Sequence, residues 1–279
     1  FALLGLLLAA PATQAQIGTT SVVSADSRGQ MAVLGAWDCC ISPDGRFVGF
    51  ETHSPDLVPN DGNTWSDVFL KDRVTGETVL VSVSLSGVGG NAGSYGTSVS
   101  EGGLFVAFSS NSTDLAAGVG VGGVYVRDRL AGVTELASTD SSGLPAGGVS
   151  TDPSISADGQ VVAFESTATN LVRDDGNGVS DIFVRNRTTG ETVLASVGWD
   201  GSPANGFSRN AALSLDGEHV AFESVASNLV PDDTNGFIDV FVRDLVTGQT
   251  ELVDRDSNGV QVGVAAYPAI SRDGRFVAF

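Results

Sequence analysis

Three short segments of this chain gather oxygen-bearing side chains at one spacing, Asp-x-Asn-x-x-x-Asp. They are Asp61, Asn63 and Asp67; Asp175, Asn177 and Asp181; and Asp233, Asn235 and Asp239. Each trio follows one more such residue, Asn60, Asp174 or Asp232. Calcium is held by about six to eight oxygens from carboxylates, amides and carbonyls, so close Asp and Asn in a glycine-containing loop are candidate Ca2+ ligands. The spacing is looser than that of an EF-hand and lacks its closing Glu. The same residues also suit plain turn chemistry, with Asn-Gly forming the turn and the last Asp capping the strand that follows. Between the first two trios, AGVGVGG at 117–123 has lost all three positions together.

A second set repeats at longer range. Glu51, Glu165 and Glu223 end equivalent apolar runs, with Ser109 in the fourth place. They are expected to pair with Lys71, Arg127, Arg185 and Arg243 of the next run, although Arg127 then lacks its Glu, or to cap the strand edge; lining a binding site is the other reading. For hydrolysis the inventory is thin. Of the two histidines, His219 stands where other copies have Phe47, Phe105, Val161 and Phe276, and His53 follows an apolar run. There is no Gly-x-Ser-x-Gly elbow, His-Glu-x-x-His or phosphate-binding glycine loop, and nothing in the sequence places a carboxylate pair on the inner strands. Trp65 and Trp199 fall in long loops, as contact residues or packed down. No catalytic residue is assigned.

What positions these residues is a repeat. Ser-x-Asp-Gly followed by an apolar run ending in Phe begins at Ser42, Ser156, Ser214 and Ser271, with a degenerate copy, SEGGLFVAF, at Ser100. The period is about 57 residues, which signals a repeat architecture. Each copy holds four strand signals separated by Asp-Gly and Thr-Gly turns. The middle two, such as QVVAF with DIFV or RFVGF with DVFL, are continuous apolar runs, so both faces are covered. Helix signals are nearly absent. The pattern predicts an all-β propeller of four-stranded antiparallel blades, forming an incomplete ring. Blades are expected at 36–83, 95–138, 151–196 and 209–254, with a fifth starting at 267. Residues 20–26 (TSVVSAD) read as an outer strand that closes the ring. Connections between strands two and three and between blades share one face and are long, which makes that face the candidate for binding.

The opening FALLGLLLAAPATQA, residues 1–15, reads as a secretory signal peptide lacking its basic start, too short to span a bilayer. Residues 16–279 then form the propeller, secreted or periplasmic, with no membrane span. The net charge is −19 and Lys71 is the only lysine, which excludes a nucleic-acid binder that must displace counterions. Cys39 and Cys40 are adjacent and are the only cysteines; they are expected as buried free thiols, a vicinal disulfide being the alternative.

The unit Ser-x-Asp-Gly-(Arg)-x-Val-Ala-Phe, then Asp-(Val/Ile)-Phe-Val-Arg-Asp and Thr-Gly-x-Thr, resembles the TolB-like propeller repeats of exported bacterial proteins over residues 20–279. The loop between strands two and three is longer than in TolB itself. The resemblance implies a non-catalytic scaffold that binds a protein or an extracellular or envelope polymer; the long-loop face is where it is expected to bind, and the Asp-x-Asn loops are where calcium is expected to stabilise it. The alternative is a propeller that caps a serine hydrolase domain lying past residue 279.

Overall fold

The computed structural model describes residues 20–117 and 122–279; the expected signal peptide lies outside them. Four sheets follow one another in chain order, each of four antiparallel strands in sequential order. Blade one holds β1 (Ala36–Ile41), β2 (Phe47–Thr52), β3 (Asp67–Asp72) and β4 (Thr78–Leu80). Blade two holds β5 (Ser94–Val99), β6 (Phe105–Ser110), β7 (Gly123–Asp128) and β8 (Val133–Leu136). Blade three holds β9 (Ser150–Ile155), β10 (Val161–Ser166), β11 (Asp181–Asn186) and β12 (Glu191–Leu194). Blade four holds β13 (Ser208–Leu213), β14 (His219–Ser224), β15 (Asp239–Asp244) and β16 (Thr250–Leu252). A last hairpin pairs β17 (Ala269–Ile270) with β18 (Val277–Ala278). The described residues form an all-β propeller arc and no closed ring.

The apolar runs of strands two and three explain the stacking of blades. Within each blade an aromatic pair stands directly opposite across the ladder: Phe50 with Phe69, Phe108 with Tyr125, Phe164 with Phe183 and Phe222 with Phe241. Their rings stack with centroids 5.8–6.0 Å apart, and all eight are fully buried. Alternation along the strand then sends neighbours to the other face. Phe164 and Phe183 pack with Val124 and Val126 of blade two, whereas Ile182 and Val184 pack with Val220 and Phe222 of blade four. Each sheet is therefore core on both faces, which is why these strands carry no polar alternation.

The Ser-x-Asp-Gly motif is a hairpin clasp. Ser214 Oγ donates to Asp216 Oδ1 at 2.5 Å and accepts the His219 amide at 3.0 Å; Ser42, Ser156 and Ser271 do the same. The turn glycine faces the preceding blade at close range. A Cβ on Gly274, whose φ is +70°, would meet His219 Nδ1 at 2.5 Å. His219 is thus the floor on which the next blade's turn sits, the place Phe47 takes beneath Gly103.

Of the segment 20–26, expected as an outer strand, Ala25 alone enters a β-bridge, to Met31. The Ala25 and Asp26 carbonyls instead cap Lys71 of blade one at 3.1 and 2.9 Å. Both cysteines are free, but Cys39 is exposed and Cys40 half-buried, so the expectation of two buried thiols is corrected. A bulge in β1 between Trp37 and Cys40 turns Cys39 outward.

Candidate functional site

Each Asp-x-Asn loop closes on itself through its asparagine. Asn63 Nδ2 donates to Asp67 Oδ2 at 2.8 Å and to the Gly90 carbonyl of the blade connection at 3.2 Å. Asn177 bridges Asp181 and the Ala204 carbonyl, at 2.6 and 3.0 Å. Asn235 bridges Asp239 and the Val262 carbonyl, at 2.6 and 3.2 Å. The other end of each amide accepts a backbone N–H two residues on, from Trp65, Val179 or Phe237. These contacts fix which end of the amide is nitrogen. They also tie the long loop to the connection, so both lie on one face. The residue held at the tip is apolar in all three, and Trp65 and Phe237 are 54% and 51% exposed.

The final aspartate of each trio opens strand three and is fully buried. Asp67 Oδ1 and Asp181 Oδ1 accept Ser82 and Ser196 hydroxyls at 2.5 and 2.7 Å. Burial pushes Asp67 up to about 7 and Asp181 up to about 6. Blade four differs: Asp254 stands where Ser82 and Ser196 stand. Asp239 and Asp254 are both fully buried, and one oxygen of each has no hydrogen-bond donor. Burial first, and Asp254 second, raise Asp239. In blades one and three the asparagine donor and the serine hydroxyl occupy the carboxylate oxygens of Asp67 and Asp181 that a cation would use. Blade four instead sets the Asp239 and Asp254 carboxyls against each other, each with one oxygen that has no donor; in blade three Asp175 Oδ1 is likewise without one. Among the described residues no three His, Cys, Asp or Glu side chains come together in a geometry that could hold a metal ion.

The glutamate set does not pair with the strand-three cations. Lys71 bonds to Ala25, Asp26, Gly76 and Thr78, while Arg127 and Arg243 bond Thr134 and Thr250. Strand-two residues latch the next blade instead. Glu51 Oε2 accepts the Gly96 amide at 3.1 Å, Ser109 Oγ the Asp152 amide at 3.2 Å, and Glu223 Oε2 the Tyr267 amide at 2.8 Å; Glu165 receives the Asn210 backbone. Ser109 fits this role, which resolves the missing glutamate of blade two. Burial raises Glu51 and Glu165 above the usual carboxylate range.

The latched residues mark a site that the motifs did not reveal. Asp38, Gly96, Asp152 and Asn210 are each the third residue of their blade's first strand, Tyr267 lies two residues before β17, and all five have positive φ, between 40° and 57°. Register irregularities fall beside the first four. A bulge of this kind re-aims side chains. The left-handed conformation costs a non-glycine residue about 1–3 kcal/mol, most for a bulky one such as Tyr267. Together with the residue after each, these five line one cavity of about 370 Å³. Asp38 and Asp152 therefore share a cavity on inner strands, a pair that nothing in the sequence places there. The available signal was Asp, Gly, Asp and Asn at one strand position, the residue types that tolerate φ above zero. Cys39 and Thr97 line the same space. Trp65 and Trp199 stay exposed rather than packing down, and His53 packs edge-on to Trp37 at 5.9 Å.

No family model and no curated protein matches the chain. Solved structures do. TolB from Acinetobacter baumannii superposes with a TM-score of 0.53 at 18% identity, over 88% of this chain and 48% of that one. A putative TolB from Agrobacterium tumefaciens gives 0.52 at 20% identity, over 89% and 76%. A prolyl endopeptidase matches with 0.48 at 13% identity, over 78% and 29%. This chain spans about half the length of the Acinetobacter protein. The fold is a TolB-like β-propeller.

Proposed function

We propose that this propeller is an exported, non-catalytic scaffold whose central cavity and surrounding long loops receive a cationic segment of a protein partner. The observation that carries this reading is the cavity itself. Four blades and the segment after blade four each line it with a left-handed residue, strained in all but Gly96, and strain of this kind collects at functional sites. Its charge is one-signed: Asp38 and Asp152 line it, and Glu51, Glu165 and Glu223 hold its backbone from behind. The nearest cation, Arg209, is already paired with Glu223 at 2.5 Å. Exposed apolar tips at Trp65 and Phe237, braced by Asn63 and Asn235, suit contact with a partner around such a cavity.

Export, to the periplasm or the medium, rests on the apolar run and small residues at 1–15. No helix among the described residues is long and apolar enough to cross a membrane. The calcium expectation is proposed first for blade four, where Asp239 and Asp254 each offer a buried oxygen without a donor and Asp233, held by Gln261, lies in the adjoining loop; Asp175 of blade three offers one such oxygen. Polyanionic partners are disfavoured by the net charge of −19.

Titration calorimetry with a tri-lysine peptide tests the central reading. Binding should weaken about ten-fold or more in an Asp38→Asn/Asp152→Asn double variant, and hold in Asp158→Asn/Asp216→Asn, which removes equal charge from hairpin turns. Equal weakening in both variants would reduce the effect to net charge and overturn the site.

A further inference from the structure

The strand-three cation of each blade occupies one fixed place, and its surroundings differ between blades. In blades one and three the preceding connection caps it with carbonyl oxygens. Lys71 Nζ donates to Ala25 O and Asp26 O, and Arg185 Nη1 donates to Asp140 O of the connection at 2.9 Å, as well as to Gly190 O of its own blade's turn at 2.6 Å. The same connections bind strand four: Ser27 Oγ and Ser141 Oγ accept the Thr78 and Thr192 amides, each at 2.9 Å. Both carry Asp-Ser after the bridging residue, Ala25-Asp26-Ser27 and Thr139-Asp140-Ser141.

Before blade four the connection reads Val197-Gly198-Trp199 and takes another path. The Trp199 amide donates to Asn228 O at 3.1 Å, which draws the chain toward the long loop and away from strand four. Half-buried Arg243 keeps its bond to Thr250 Oγ1 at 3.0 Å, and no carbonyl of the connection reaches it. The result is a cavity of about 390 Å³ bounded by Arg243, Trp199, Gln249, Leu229, Pro231 and Thr250. Arg243 is its only charged wall, and Trp199 is 65% exposed. Blade two shares the drawn-back connection, with the Leu85 amide on Asp114 O at 2.9 Å, but has leucine where blade four has tryptophan.

We propose that the blade-four cavity binds a carboxylate carried on a ring. The guanidinium of Arg243 takes the carboxylate where connection carbonyls sit in blades one and three, and the Trp199 indole offers the ring a face. The sister blades show what this position accepts, which is oxygen acceptors. A guanidinium presents paired donors that match a carboxylate in plane, and an indole stacks on flat or ring-shaped bodies. The one carboxylate beside the tryptophan, Asp200, is engaged by the Ser202 amide and hydroxyl at 3.0 and 2.6 Å. The strong negative charge of the whole chain selects a single carboxylate over a polyanion. This site is separate from the central cavity and does not depend on it.

The test is saturation-transfer NMR on the whole chain with benzoate, glucuronate, glucose and inorganic phosphate as probes. Benzoate, glucuronate or both should bind, and glucose should not. Benzoate alone would identify a flat aromatic acid, and glucuronate alone a sugar acid; either supports the site. Affinity should fall about ten-fold or more in Arg243→Gln and several-fold in Trp199→Ala, an exposed position that does not threaten folding. Arg185→Gln, at the capped position, should leave it unchanged. The proposal is overturned if neither acid saturates below about 10 mM, if both variants bind the acids as the parent does, or if phosphate binds equally well.

Discussion

Blades three and four carry the same ladder residue for residue, with β10 on β11 and β14 on β15 in one register, yet they settle two polar positions differently. Where blade three places Ser196 on Asp181, blade four places Asp254 on Asp239. Where blade three caps Arg185 with a connection carbonyl, that of Asp140, blade four leaves Arg243 facing a cavity. The apolar core is common to both, so these differences are not needed for folding. A repeat protein reveals its specialised copies in this way. The shared contacts define the scaffold, and a copy that forgoes one marks a place where something else is bound or held.

The shared part gives the largest effect. Phe183→Ala and Phe241→Ala should each cost about 3–5 kcal/mol, because each removes a fully buried ring from a stacked pair. Urea unfolding should find the two alike; a difference of more than about 2 kcal/mol would break the equivalence of the blades. Next comes Asp254→Ser, which copies blade three into blade four. Supplying a hydroxyl donor to Asp239 and removing a buried carboxylate should raise stability by about 1–3 kcal/mol. A loss of stability in the presence of a chelator would mean that the acid pair is itself well satisfied.

The pH dependence follows with smaller amplitude. With calcium chelated, Asp67 at about 7 and Asp181 at about 6 lie above their unfolded values, and burial raises Asp61, Asp175, Asp233 and Asp239 as well. The native state then binds more protons than the unfolded chain. Their contribution is full below the unfolded value near 4 and is lost as pH rises through 7. The melting temperature should be higher at about pH 5.5 than at about pH 8. Asp72, held low by its hydrogen bonds to Arg46, works in the opposite sense only in strong acid. A melting temperature rising from pH 5.5 to 8 would contradict these burial effects. The smallest effect is that of calcium, which should raise the melting temperature by a degree or two in the parent and not in Asp254→Ser. An equal shift in both would place the ion in the other loops.

How much of this was legible in the sequence depends on how local each signal is. The blades were, because Ser-x-Asp-Gly and the paired apolar runs repeat in phase with the strands they make. The three Asp-x-Asn loops were found, but their donor pattern was not: whether Asn63 faces a cation or Asp67 depends on the Gly90 carbonyl, which is remote in sequence. The glutamates are legible, but their partners in the next blade are not: the ion pairs with strand three do not form, and Glu51 and Glu223 accept backbone amides of the next blade instead. Trp199 was singled out without Arg243, because a connection's path is set by tertiary contacts such as that with Asn228. The inner-strand cavity was missed because Asp38 and Asp152 sit in different repeats, where neither has a neighbour to suggest it.

The most direct test of the central cavity uses Cys39, which is exposed and lines it, while Cys40 is half-buried, bonded to Thr97 Oγ1 at 3.1 Å and raised by burial. The rate of Cys39 alkylation by iodoacetamide should be measured with and without saturating tri-lysine peptide. A cationic segment seated in the cavity slows the reaction several-fold, and the protection disappears in Asp38→Asn/Asp152→Asn. An unchanged rate with the peptide bound would show that it binds elsewhere and would contradict the assignment of this cavity as the binding site.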